Sequence, residues 1–210
     1  MPTSKTPLII VTIVAFLGLA TFLIIGEIEK SKTPALVGDP NVPIGGAFEL
    51  VGGQGQTVRE SDFRGKFMLV YFGYTSCPDV CPFDMQKMAL ALELVERQGI
   101  SLEALQPIFI SVDPNRDSPE IAGEFANAYH DAIIGLSGTE EQTKVATNVY
   151  RVYAQVDPEG EAAKAQGEYY AVNHSNLIFL MDKNGHYMKH FTSQDTDTTM
   201  ANVISSVLDN

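Results

Sequence analysis

Apolar positions along the chain form three patterns: one long unbroken run, several short buried runs, and stripes at helical spacing. The long run comes first. Thr6 to Gly26 carries no charge, and Leu8 to Ile25 is almost wholly aliphatic or Phe, which matches the ~20 helical residues needed to cross a bilayer. A short tail (1–7) and a transmembrane helix over 8–26 are therefore expected. Gly18-Leu19-Ala20 offers the small residues of a signal-peptidase site, but the apolar stretch runs on through Ile25, beyond the ~7 to 15 residues of a typical signal-peptide core. From Ser31 to Asn41 the pattern lapses into Pro34, Gly38 and Pro40 without a period, as in a tether, so 27–44 reads as a linker.

The remainder, 45–210, alternates short runs with stripes. Phe48 to Val51 and Gln56 to Val58 flank Gly52, Gly53 and Gly55, a hairpin pattern. Phe67-Met68-Leu69-Val70-Tyr71-Phe72 has no polar face and predicts a central buried strand. Over Pro82 to Gln98, Met85, Met88, Leu92 and Val95 recur at helical spacing, with Gly99 as the stop. Pro107 to Val112 is a second buried strand, closed by Asp113-Pro114. Ser118-Pro119-Glu120 opens a helix with Ile121, Phe125 and Ala128 on one face. Thr139 and Gln142 fit a capping box, and Val145, Val149 and Val152 form the next stripe. Asp157 to Glu168 has no apolar period and reads as a mobile excursion. Leu177 to Met181 and Tyr187 to Phe191 surround Asn184-Gly185, a hairpin signal. Met200, Val203, Ile204 and Val207 mark a closing helix.

Hairpin, strand, helix, strand, helix, helix, hairpin, helix is the order of an α/β domain: a mixed sheet with helices on both faces. Hydrophobic content of 45% suffices for one core. Only Lys5, Lys30, Glu27 and Glu29 precede Ser31, so the whole net charge of -12 falls on the later part. That acidity excludes nucleic acid as a partner, since a polyanion needs a basic surface.

Candidate chemistry rests on the 2 cysteines, Cys77 and Cys81, at the junction of the first buried strand and its helix. This is a thioredoxin-like position, although three residues, not two, separate the pair. Residues four apart share a helical face, so both sulfurs can converge on one ion. The helix N-terminus favours thiolate, the nucleophile of disulfide exchange and a ligand suited to Cu(I). A third ligand is sought among the 4 histidines. His130, His186 and His190 occupy helix-end or hairpin positions and read as surface residues. His174, in Val172-Asn173-His174-Ser175-Asn176, immediately precedes a buried strand, and in thioredoxin-like folds this loop lies beside the cysteines.

At these residues the sequence resembles the SCO/SenC family of copper proteins that assist assembly of the dinuclear copper centre of cytochrome c oxidase. The resemblance is carried by Tyr71-Phe72-Gly73-Tyr74-Thr75-Ser76-Cys77-Pro78-Asp79-Val80-Cys81-Pro82, Ile110-Ser111-Val112-Asp113-Pro114-Asn115-Arg116-Asp117, Tyr150-Arg151-Val152-Tyr153 and Asn173-His174-Ser175, in order across about Ala47 to Asn210. It implies a thioredoxin-like fold, a membrane anchor, and binding of Cu(I) and Cu(II) by Cys77, Cys81 and His174. It further implies a partner in the copper-bearing oxidase subunit or another copper or thiol protein. The domain would face the periplasm from the cytoplasmic membrane, or the intermembrane space from the mitochondrial inner membrane, consistent with the oxidising setting that disulfide-capable cysteines require. The family more often has Asp where Asn173 stands, which bears on copper affinity through the orientation of the imidazole.

Three alternatives accompany this reading. A metal-free thiol-disulfide oxidoreductase would use Cys77 to attack and Cys81 to resolve. A peroxidase of related fold needs Arg and Thr near its cysteine, and the segment before Cys77 has Thr75 but no Arg. A zinc site is compatible with the ligand types. Asp113-Pro114 and Arg116-Asp117 read as a strand-ending turn with a surface ion pair.

Overall fold

The computed structural model describes residues 38–209. The expected tail (1–7), anchor (8–26) and most of the linker lie outside the described residues. Among the described residues no helix is long and apolar enough to cross a membrane. In the described part of the linker region the Asp39 N–H donates to the Tyr187 carbonyl at 2.8 Å, and at the first residue of the domain the Gly45 N–H donates to the Val149 carbonyl at 2.8 Å.

The strands are β1 (Glu49–Gly52), β2 (Thr57–Arg59), β3 (Phe67–Gly73), β4 (Leu105–Ser111), β5 (Ile134–Ser137), β6 (Ala154–Gln155), β7 (Asn173–His174), β8 (Ile178–Met181) and β9 (Tyr187–Phe191). The helices are α1 (Val80–Arg97), α2 (Pro119–Asn127), α3 (Glu140–Val149), α4 (Pro158–Ala165) and α5 (Asp197–Leu208). Seven strands form one sheet in the order β2-β1-β5-β4-β3-β8-β9, and β6 pairs with β7 in a separate two-stranded ribbon. β3, β4 and β5 run parallel, joined by crossovers containing α1 and α2, while β8, β9, β1 and β2 add antiparallel edges.

Every residue of β3 is buried, so neither face of the sheet centre meets water. Because successive side chains alternate, Tyr71 and Phe72 report the two faces. Tyr71 packs on Phe109, whose ring lies 5.0 Å from Phe125 of α2. Phe72 packs on Tyr150 at the end of α3, 5.2 Å away, and on Phe179. Helices therefore cover both faces, and removing any one of these side chains from water contributes about 1.5–3 kcal/mol. Met85, Met88, Leu92 and Val95 of α1 are all fully buried, as their spacing predicts.

Four expectations need correction. β5 has no apolar alternation long enough to announce a strand. Its Gly135 is a close-approach residue: a Cβ there would meet the Ala122 carbonyl oxygen at 1.9 Å. That approach explains the second correction, because α2 buries small Ala122, Gly123 and Ala126 rather than the expected stripe, leaving Ile121 exposed. Likewise α3 buries Thr143, Ala146 and Thr147, and Val145 faces outward. The region expected to be a mobile excursion contains α4, which buries nothing. Its stability comes from its ends: the Gly160 N–H donates to Asp157 Oδ1 at 2.7 Å, Pro158 begins the first turn, Glu159 and Glu161 follow it, and Lys164 lies in the last turn.

Candidate metal centre

β3 ends at Gly73 because the chain there must admit a sulfur. A Cβ on Gly73 would stand 3.0 Å from Cys81 Sγ and 2.9 Å from the Tyr71 ring. The chain then turns, with the Cys77 N–H donating to the Tyr74 carbonyl at 3.3 Å, and α1 begins at Val80. Asp79, the residue before the helix, makes no side-chain cap bond. The unpaired first-turn donors of a helix need an acceptor, and the Asp79 and Cys81 N–H groups find one in the Cys77 sulfur.

This arrangement makes the two thiols unequal. Burial by itself would raise the Cys77 pKa, but those two N–H groups, the Cys81 thiol and the Tyr74 hydroxyl outweigh it and hold Cys77 below its ordinary value. Cys81, fully buried, is pushed up to about 12 by burial and by the adjacent Cys77. The shared helix N-terminus therefore does not produce two thiolates in the metal-free protein. It produces one thiolate-forming cysteine at the surface side and one retained thiol beneath it.

His174 arrives from far along the chain. β7 pairs with β6, placing Ala154 opposite His174, and Tyr153 and Ser175 lock the register through Ser175 N to Tyr153 O at 2.9 Å and Tyr153 N to Ser175 Oγ at 3.1 Å. Before the ribbon, Arg151 takes a left-handed conformation (φ 57°) that turns the chain out of α3. The loop expected before β8 thus contains a short strand, too brief to show a period. His174 Nδ1 lies 3.1 Å from the Ser175 carbonyl. A carbonyl only accepts, so Nδ1 carries the proton and Nε2 keeps its lone pair. A backbone carbonyl thus orients the imidazole, while Asn173 is exposed. Burial lowers the His174 pKa despite opposing help from Ser175 and Asp84, favouring the neutral, ligating form.

Cys81 Sγ and His174 Nε2 stand 3.3 Å apart, and the donor atoms of Cys77, Cys81 and His174 all fall within 4.8 Å of one another. Bonds of about 2.0–2.3 Å at open angles place ligand atoms about 3.5–4 Å apart, so the three fit a single ion. Tyr71 and Tyr74 meet the imidazole edge-on, with ring centroids 6.4 and 5.7 Å away. Among the described residues no other group of Cys, His or carboxylate side chains converges this way. The other histidines have local partners: His130 with Glu96, His186 with Asp182, and His190 with Tyr187. A cavity of about 610 Å³ opens between α3 and α4, and none of the three donors lines it. The two sulfurs are buried and the imidazole is half-buried, apart from that cavity.

Two supporting features escape sequence reading. Asp84 is buried on the inner stripe of α1 beside Lys87 Nζ at 3.2 Å, and its only sequence signal is an acidic residue between the apolar positions Cys81, Met85 and Met88. The other is the turn expected to carry a surface ion pair. Asp113 and Asp117 are buried. Asp113 takes the Arg116 guanidinium on one oxygen and the Tyr170 hydroxyl on the other, the latter at 2.7 Å, while Asp117 bonds Thr75 and Ser111. An exposed pair contributes little, whereas a buried one constrains its neighbours.

A dithiol and an imidazole gathered at a strand-to-helix junction of a mixed sheet define a thioredoxin-like protein built for metal or thiol chemistry. Comparison narrows the class. The SCO1/SenC family model matches residues 38–209, and the chain belongs to that family. It is 35% identical over 189 residues to an SCO2-like protein of Rickettsia prowazekii, covering 87% of this chain and 88% of that one. A ScoI from Bradyrhizobium japonicum, solved with copper bound, matches with TM-score 0.68 and 32% identity over 79% of this chain and 99% of that one. Yeast Sco1 with copper bound matches with TM-score 0.67 and 35% identity over 80% and 89%.

Proposed function

We propose that this chain is a membrane-anchored copper carrier that takes part in assembling the copper centre of cytochrome c oxidase, holding its cargo through Cys77, Cys81 and His174. The observation that carries the reading is the 3.3 Å approach of His174 Nε2 to Cys81 Sγ, with Cys77 in the same cluster. Two sulfurs and a neutral imidazole suit Cu(I), and the open side suits Cu(II) with a further ligand. The copper-bound relatives support the same choice over zinc. The span at 8–26 would hold the domain of 45–210 at the cytoplasmic membrane facing the periplasm, or at the mitochondrial inner membrane facing the intermembrane space. The partner in this reading is the copper-bearing oxidase subunit, whose incoming thiolates replace the three ligands in turn.

Loading requires the reduced pair. The raised Cys81 pKa means that its proton leaves on binding, so affinity rises with pH. A Cys77-Cys81 disulfide abolishes it. The test is anaerobic copper titration of the full-length chain in detergent, reduced and oxidised. We expect one tight copper per reduced chain, lost on oxidation and in Cys77→Ser, Cys81→Ser and His174→Ala. Equal loading of the oxidised protein would refute the proposal.

The inequality of the thiols favours a second activity at the same residues. Cys77 thiolate attacks a partner disulfide, forming a mixed disulfide and releasing one partner thiolate. Cys81, losing its proton, then attacks Cys77 sulfur and releases the second, leaving the partner reduced and the pair oxidised. His174→Ala separates the activities, since it removes a copper ligand and spares this exchange.

A further inference from the structure

Thr75 lies two residues before Cys77 and is held by a carboxylate far along the chain. Asp117, with no exposure to solvent, accepts from the Thr75 N–H at 2.9 Å and from Thr75 Oγ1 at 2.5 Å. It is itself fixed to two strand ends: Ser111 Oγ donates to its carboxylate at 2.6 Å, and Ser137 Oγ to its backbone carbonyl at 2.6 Å. The preceding residue grips Tyr74. The Arg116 guanidinium lies 5.3 Å from the Tyr74 ring and 3.7 Å from that of Tyr170, and donates to the Tyr170 carbonyl at 2.8 Å. Tyr74 in turn touches both halves of the site, through its hydroxyl to Cys77 and its ring edge-on to His174.

We infer that Arg116 and Asp117 form a clamp on Tyr74 and Thr75 that sets where Cys77 stands relative to Cys81 and His174, which makes Asp117 a positioning residue for the metal site. The inference rests on the copper reading above and extends it beyond the ligands. A buried carboxylate is costly unless its oxygens are well bonded, and here the bonds are directed at the loop leading to a ligand. Cys77 needs such external support because its own loop contains no regular structure between Gly73 and Val80. Loosening a coordinating group by even about 1 Å spoils a preorganised site.

The test uses the full-length chain in detergent, with Cu(I) affinity read by competition with a chromogenic chelator. The reduction potential of the Cys77-Cys81 couple is read by equilibration with a thiol buffer, and folding by far-UV dichroism. Thr75→Val keeps the volume and removes the hydroxyl, so Cu(I) affinity falls about tenfold in a folded protein, within the range expected for a group that orients a ligand. Thr75→Ser restores the hydroxyl and the affinity. Asp117→Ala loses at least as much as Thr75→Val, and the double variant no more than Asp117→Ala alone, because both changes cut one link. The inference is overturned if folded Thr75→Val binds copper like the unaltered protein, if Thr75→Ser fails as Val does, or if the losses multiply in the double variant. If the unaltered reduced protein takes no copper, the copper reading fails. The clamp is then judged on the potential, which must shift in the same order among the variants.

Discussion

The two halves of the site are built in opposite ways. Cys77 stands in the turn between β3 and α1 and Cys81 in the first turn of α1, with the Cys77 sulfur serving the N–H groups of Asp79 and Cys81. His174 comes from a two-residue strand whose partner is equally short, held in register by Tyr153 and Ser175. The cysteine half is thus determined by local chain geometry and by the helix it begins, and the histidine half by contacts between distant segments. A ribbon this small has little cooperative support, so perturbation there should reach copper binding before it reaches the fold or the thiols.

The largest expected contrast lies within the cysteine half. At pH 7 alkylation should modify Cys77 some tens of times faster than Cys81, once the lower nucleophilicity of the more acidic thiolate is set against its greater population. Peptide mapping after brief iodoacetamide exposure measures this, and His174→Ala should leave the Cys77 rate within about twofold. Equal labelling of both residues would contradict the proposed inequality.

Gly73→Ala attacks the shared base of both halves. Its Cβ would meet Cys81 Sγ and the Tyr71 ring, so urea unfolding should show a loss of about 1–3 kcal/mol, with copper binding weakened in parallel. Ser175→Ala is confined to the histidine half. Loss of the Tyr153 N–H bond should cost about 1 kcal/mol and weaken copper binding while Cys77 alkylation stays unchanged. The smallest effect is a pH dependence. The folded His174 pKa is depressed below its ordinary 6.5, so the unfolded chain binds this proton more readily. Stability from this source is complete above about pH 6.5 and is lost as pH falls through the window below it. Urea midpoints of the protein and His174→Ala across pH 5 to 7 should converge toward the acid end.

Much of this was legible in advance where the physics is local. The polar-free run at 67–72, the buried stripe of α1, the capping box at Thr139 and the turn at Asn184-Gly185 each state their structure within a few residues. The misread segments are those whose partners are remote. The inner face of α2 follows from Gly135 and Gly53 pressing against it, which no pattern inside α2 contains. The Arg116-Asp117 turn reads as surface by its charge, and only the arrival of Thr75, Tyr74 and Tyr170 makes it interior. Position 173 shows the same limit, since the carbonyl that orients the imidazole belongs to Ser175, and a backbone group leaves no trace in residue type.

What the sequence alone determined is the chemical inventory and its local setting: a soft dithiol at a helix start and a histidine before a buried strand, because residue type and spacing along a helix or strand are short-range properties. Tertiary structure decided that the imidazole reaches Cys81, that the two thiols differ in acidity, and that a remote carboxylate holds the loop between them and β3. Those outcomes depend on burial and on distances between segments up to 93 positions apart, which exist only once the sheet has brought its strand ends together.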